Sequence, residues 1–442
     1  MPLTSIRLQN FRCFRDTGEV PIRPLTVIFG RNNAGKSSLI QAVLLLRQTL
    51  DRPEVGEHLN MRGPLYAAGS YSDIVHQHQA RTNIVMEFGV RVPPSKHDAK
   101  VRLEFGSDEP QPPRLLSLRV EREDVGFVEV RRGVGRGGPY ELHINDESLG
   151  REKAANFSFA INQFLPQIGP EPLRVGRPSG RREEARRVAR GILLEFRKEL
   201  EAIRAVGPFR EQPLRRYDYQ GRLTGAVDLH GEYVVQALID DLMRRGKHRR
   251  SLLNALNRWL EKVGRVRLMP LRRISKSARL YEVRLRDLDS GRWANYADVG
   301  FGIGQALPVL VEGLRTPDSG VFIVEEPEIH LHPDAQLAIA DYLIDLARSG
   351  RTVVVETHSE AVLLRIRNAA VRSGSSYRGP RLRPEDVGIV HVKGGPTGAS
   401  KVTPLALDEL GQVQGWPEGF MEEVSKERLS LLETMTRKAS ES

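Results

Sequence analysis

Hydrophobic and polar positions change period several times along these 442 residues, and each change marks an element. Residues 3–17 alternate, with Ile6 and Leu8 on one side, as a strand does. A second strand, 21–29, closes on an apolar β-type run from Leu25 to Phe29. Between 85 and 131 come four short alternating runs, 85–92, 101–105, 115–120 and 127–130. Proline-rich breaks at 93–95 and 108–113 separate them, which predicts an antiparallel β-lobe. From 181 to about 206 the period turns helical, with Val188, Ile192, Leu193, Phe196, Leu200 and Ile203 recurring at three and four. The stretch 233–263 repeats that spacing and is broken by the basic run 244–250. Residues 279–286 predict a strand and 306–314 a helix. The run 321–324 is short and apolar and 352–355 reads as a second buried strand, the kind a parallel sheet buries on both faces, with an amphipathic helix at 334–348 between them. Strands near 387–392 and 401–407, then a polar helix from 418 to about 436, complete the chain. The predicted class is α/β, a central and mostly parallel sheet with an antiparallel β-lobe and an inserted helical region. The expected division is 1–150, 151–275 for the helical insertion, and 276–442.

The apolar run ending at Phe29 leads directly into Gly30-Arg31-Asn32-Asn33-Ala34-Gly35-Lys36-Ser37-Ser38, and a helical pattern follows through Leu46. This is G-x-x-x-x-G-K-[ST] in a strand–loop–helix setting, the sequence of a phosphate-binding P-loop. Its glycines let successive N–H groups turn toward phosphate oxygens, and the helix N-terminus adds the positive end of its dipole. Gly30, Asn32, Asn33, Ala34, Gly35 and Ser38 form the cradle, Lys36 reaches the β- and γ-phosphates of ATP, and Ser37 holds Mg²⁺. A glycine-rich turn that binds nothing is the bland alternative. It leaves the preceding strand and the following helix unexplained.

Composition narrows the setting. At 40% hydrophobic and 28% charged, the chain reads as an ordinary soluble protein with room for two or three domains. Its longest apolar stretches fall far short of the roughly 20 residues a bilayer crossing needs. The N-terminus runs straight into a charged strand where a secretory signal would be apolar. The single cysteine, Cys13, makes no internal disulfide and anchors no cysteine-based zinc site. A cytoplasmic protein without membrane contact is expected. The net charge of +11 predicts affinity for polyanions such as DNA or RNA, although a general bias toward arginine would give the same total.

Two further stretches carry chemistry. In Val321-Phe322-Ile323-Val324-Glu325-Glu326-Pro327 a buried strand ends in two acids, a Walker B pattern. Such a strand delivers both carboxylates to the edge of the sheet where nucleotide sits. Glu325 is expected in the Mg²⁺ shell, and Glu326 as the group that polarises the attacking water. The second run ends Glu356-Thr357-His358-Ser359, and a histidine there can donate to a γ-phosphate, which makes His358 a nucleotide sensor. An ordinary charged turn and a structural histidine are the readings to beat.

Taken together these stretches resemble the ABC-type ATPase head shared by the SMC, RecF and OLD proteins. Asn10-Phe11-Arg12-Cys13-Phe14 resembles that group's N-F-[RK]-x-F, Glu325 through Pro333 its E-E-P-E-x-x-L-H-P, and Thr357-His358-Ser359 its T-H-S switch. More narrowly, the chain is similar to a compact bacterial AAA-type family with a G-x-G-x-x-Q-x-L-P signature, here residues 300–308, and a W-P-x-G-F ending, here 416–420. The resemblance covers both ends of the chain well and 130–290 poorly. It implies an ABC/SMC-head fold, Mg²⁺-dependent ATP hydrolysis, and a homodimer formed through ATP. Arg12 joins the nucleotide-binding set. Gly302, Gly304 and Gln305 fill the signature slot that grips the opposite subunit's nucleotide, with Gly302 where a signature serine usually stands. Gln77 and Gln79 are candidates for the Q-loop.

The implied role is control of a nucleic-acid or nuclease complex in phage defence or genome maintenance, through a nuclease or other effector protein. A self-contained OLD-like nuclease is an alternative, but the stretch after His358 lacks the D-x-D that Toprim metal chemistry needs. A transporter ATPase subunit shares the fold; the absent signature serine and the SMC-like N-F-R-x-F argue against it. His330 and His332 lack third and fourth ligands for zinc. The basic clusters at 181–187, 244–250 and 272–273 are either nucleic-acid contacts or solvated faces.

Overall fold

The computed structural model describes residues 3–416 except 53–55, 93–94, 96, 134–137, 146, 152–158, 169–179, 220, 222–228, 245–249, 276–278, 372–381 and 396–397, together with Ser430, Thr434 and Met435. Most of the polar helix expected over 418–436 therefore lies outside the described residues.

A six-stranded sheet carries the chemistry. Its order is Arg204–Val206, Val321–Glu325, Thr352–Glu356, Leu25–Phe29, Val387–Lys393 and Lys401–Leu405, the first five parallel and the last antiparallel at the edge. Every residue of the P-loop strand, the acid-pair strand and the histidine strand is buried, so all three read as mostly apolar runs without alternation. Their carboxyl ends share one edge, and register sets Glu325 beside Glu356 and Glu356 beside Ile28.

The β-lobe is a nine-stranded antiparallel sheet. One cross-strand row, Leu8, Met86, Leu103, Leu118, Val130 and Leu142, is buried across six of its strands. Between the two sheets lie the P-loop helix Lys36–Leu50 and the long helix Gly180–Glu201, whose apolar stripes join Ile28, Ile323 and Val354 in one core. The opposite face of the parallel sheet, with Val27, Phe29, Phe322, Val324 and Val355, packs against helices Val234–Met243, Ser251–Gly264, Phe301–Arg315, Pro333–Arg348 and Glu360–Val371. This is a P-loop NTPase fold with an antiparallel lobe. Among the described residues no helix is long and apolar enough to cross a membrane.

Sequence and structure part company at three places. The helix expected to run to 206 ends at Glu201, and Arg204–Val206 becomes an edge strand beside Phe322, Ile323 and Val324. The region read as a helical insertion thus lends a strand to the parallel sheet, because burial beside the acid-pair strand outweighs the helical period. The strand expected at 279–286 divides into Leu280–Glu282 and Arg284–Asp287, which belong to different three-stranded sheets. Strands Tyr140–Ile144, Glu147–Arg151, Phe159–Asn162 and Leu165–Ile168 escape the pattern reading because each is too short to establish an alternation.

Candidate functional site

The P-loop turns where only glycine can turn. Gly35 caps the helix at φ +96, and a Cβ there would overlap the Cys13 Sγ. That contact explains the N-F-R-x-F stretch. Phe11 and Phe14 are fully buried partners across a tight hairpin, and they seat its tip, Arg12-Cys13, against the P-loop. Arg12 donates to Gln41 Oε1 of the P-loop helix at 2.7 Å and to the Tyr66 hydroxyl at 2.6 Å. Arg12 is thus fixed beside that helix.

Lys36 is 4% exposed; its Nζ donates to the Arg31 carbonyl at 3.1 Å and lies 3.6 Å from Glu356 Oε1. The Ser37 hydroxyl donates to Glu356 Oε2 at 3.0 Å. Glu356 is the residue that sequence reasoning missed. Its motif drew attention only to His358, and the signal that would have found Glu356 is its place beside Glu325 in the sheet register. Burial first, then the Glu356 charge, push the Glu325 carboxyl above its ordinary range, and burial does the same to Glu356 against the opposing pull of Lys36. Two buried carboxylates and a hydroxyl form an all-oxygen donor set, which suits a hard divalent cation such as Mg²⁺.

Glu326 stands just past the strand, with Oε1 3.7 Å from His358 Nε2. One carboxylate oxygen each of Glu326 and Glu356 and a ring nitrogen of His358 lie within 4.8 Å of one another. Burial, then the Lys36 charge, lower the His358 pKa, which favours the neutral imidazole. Its backbone is pinned by Glu328, whose Oε1 accepts from the Thr357 hydroxyl at 2.7 Å, His358 N at 2.9 Å and Ser359 N at 3.1 Å.

The signature glycines serve close packing within the chain. A Cβ at Gly302 would sit 2.8 Å from the His330 carbonyl, and one at Gly304 would press on Pro213 at 3.1 Å. Gln305 is 3% exposed. Among the described residues no hydrogen bond or ion pair joins 300–305 to the P-loop of the same chain. His330 packs its ring on Phe301 at 4.6 Å while His332 caps the helix Pro333–Arg348, so these histidines do not converge on a metal. Gln77 and Gln79 are exposed and bonded to each other at 3.3 Å.

Residues 25–365 match the family described as "AAA domain, putative AbiEii toxin, Type IV TA system". The chain belongs to this AAA family. Among solved structures it is similar to the SMC head domain from Thermotoga maritima, at 12% identity over 91% of this chain and 99% of that one, TM-score 0.40. An SMC head bound to the C-terminal winged-helix domain of ScpA gives 13% identity over 92% and 99%, TM-score 0.45. An SMC head with an extended coiled coil, bound to the C-terminal domain of ScpA derived from Pyrococcus furiosus, gives 11% over 99% and 100%, TM-score 0.45. No curated protein matches the chain.

Proposed function

We propose that this AAA-family chain is a Mg²⁺-dependent ATPase that dimerises on ATP and uses the cycle to control a nucleic-acid or nuclease complex, in phage defence or genome maintenance. The observation that carries the reading is the meeting of Lys36, Ser37, Glu325, Glu326, Glu356 and His358 at one edge of the parallel sheet.

Lys36 exchanges the Arg31 carbonyl for phosphate oxygens when ATP enters, and the P-loop amides take the remaining charge. Ser37, Glu325 and Glu356 would hold Mg²⁺, which supplies charge neutralisation across the phosphates. Glu326 orients and deprotonates the attacking water, and the neutral His358 donates to the γ-phosphate. The second copy is supported by the apolar surface around the signature turn. Phe209, Leu214 and Phe301 are 81%, 56% and 50% exposed; Arg210, next to Phe209, bonds the Gln305 carbonyl and Pro213, next to Leu214, lies against Gly304, both in the helix that opens at the signature. Such patches mark interaction sites.

The test is ATP turnover with and without Mg²⁺ in the wild type, Lys36→Ala and Glu326→Gln. Lys36→Ala should lose both binding and turnover. Glu326→Gln should bind ATP without hydrolysing it and accumulate as a dimer in light scattering, because the amide keeps the shape and loses the base. Unchanged turnover in Lys36→Ala would remove the P-loop assignment, and a Glu326→Gln protein that stays monomeric with ATP would remove the dimer.

A further inference from the structure

Arg210 belongs to none of the sequence motifs, yet it is 7% exposed and carries a full charge into the heart of the site. Burial brings its pKa down only to about 10, so it remains a cation at neutral pH. The guanidinium is spent on main-chain carbonyls. Nε donates to Gly207 at 3.1 Å, Nη1 to Gln305 at 3.3 Å, and Nη2 to both Glu325 at 2.9 Å and Glu326 at 3.1 Å. The loop that presents it is itself fixed. Gly207 N donates to the Leu229 carbonyl at 2.8 Å, and Glu211 N to that of His230 at 2.9 Å.

The backbone of Glu326 gives this contact its meaning. Glu326 sits at φ +46, a left-handed conformation that residues with a Cβ seldom adopt. Such a residue persists where its surroundings hold it on both sides. Here Glu326 N donates to the Glu356 carbonyl at 2.7 Å, while the Glu326 carbonyl accepts from Arg210 and, at 3.3 Å, from Ile329 N. Arg210 is thus one of the clamps that aim the carboxylate toward His358. The same guanidinium holds the Gln305 carbonyl, inside the helix that begins at the signature turn. A planar, rigid fork cannot shift one of these bonds and leave the others in place.

We propose that Arg210 is a positioning residue that ties the placement of the signature helix to the aim of Glu326, so that hydrolysis waits on the contact the signature turn makes with the second subunit's nucleotide. This rests on the ATP-driven dimer proposed above.

Arg210→Lys keeps the charge and loses the fork, and Arg210→Gln loses both. For each, four quantities are measured beside wild type and Lys36→Ala: affinity for a fluorescent ATP analogue, kcat, dimer formation with ATP in light scattering, and melting temperature. The expected result is an affinity within about twofold of wild type, a preserved dimer, a melting temperature lowered as the carbonyls lose their donor but still well above the assay temperature, and a kcat lowered at least about tenfold. A merely structural arginine would take affinity and dimer formation down together with kcat. That joint loss overturns the proposal, as does failure of both variants to fold or a kcat equal to wild type. If wild type itself does not turn over ATP, the ATPase reading fails instead; if it does and the Arg210 variants match it, only this inference falls.

Discussion

At the scale of single residues, Glu356 separates what a motif can tell from what a sheet can tell. Lys36, Ser37, Glu325, Glu326 and His358 are legible because each sits inside a contiguous pattern whose chemistry is local. Glu356 lies next to such a pattern, but its place in the cluster comes from parallel register, which sets it beside Glu325 and under the Ser37 hydroxyl. Arg210 is less legible still, since three of its four acceptors lie about a hundred positions further along the chain. Glu356→Gln should raise the Mg²⁺ concentration for half-maximal ATPase activity by about tenfold or more, the usual penalty for losing a partner around a metal. Binding of ATP measured without Mg²⁺ should hold or improve, because a negative charge leaves the neighbourhood of the phosphates. An unchanged Mg²⁺ profile would show that Glu356 only buttresses Ser37.

At the scale of elements, the helix Gly180–Glu201 shows why a period marks a helix better than it marks the helix end. The three-and-four spacing continues through Ile203, but the chain has already left the helix to reach the parallel sheet. Near that end Glu199 is 8% exposed and its Oε2 has no hydrogen-bond partner. Burial raises its pKa to about 7 from an ordinary 4.5. The sign follows from proton binding. Between those two values the folded state keeps a proton that the unfolded state has released, so stability falls as pH rises through the interval and the loss is complete above it. Glu199→Gln does not titrate. The difference in stability between variant and wild type should therefore shift in the variant's favour by on the order of 3 kcal/mol from about pH 4 to about pH 8. Paired thermal melts across that range check it, and a difference that stays flat with pH would show that Glu199 is solvated.

At the scale of the whole molecule, the parallel core and its site edge were readable because buried strands are short apolar runs bounded by chemistry-bearing turns. The small three-stranded sheets were not, because their strands are only two to four residues long and exchange partners within a few positions. One of those sheets now gives the nucleic-acid reading a place to be tested. Across Val266–Leu268, Arg284–Asp287 and Trp293–Asn295, Arg286 lies directly opposite Arg267 on one side and Trp293 on the other. Trp293 is 48% exposed, with the Arg284 and Arg286 guanidinium carbons 5.6 and 5.9 Å from its ring centre. Like charges set opposite in a sheet repel, and an exposed indole costs hydration; a polyanion with a stackable base relieves both. The other basic surface is the run 244–250, of which Arg244 is exposed, Arg250 is half-buried and 245–249 lie outside the described residues. Trp293→Ala should weaken binding of a labelled single strand by about tenfold, and Arg286→Glu should flatten its log–log salt dependence by about 0.7 for each phosphate the protein no longer neutralises. Charge reversal at Arg244, Arg245, Arg249 and Arg250 should act on duplex DNA, at about 0.9 per phosphate. ATP turnover without nucleic acid should stay at the wild-type rate in all of these, since the substituted positions lie outside the nucleotide motifs of the sequence. If affinity and salt slope match wild type on both substrates, the two surfaces are solvated faces, and an effector protein such as a nuclease becomes the partner to seek.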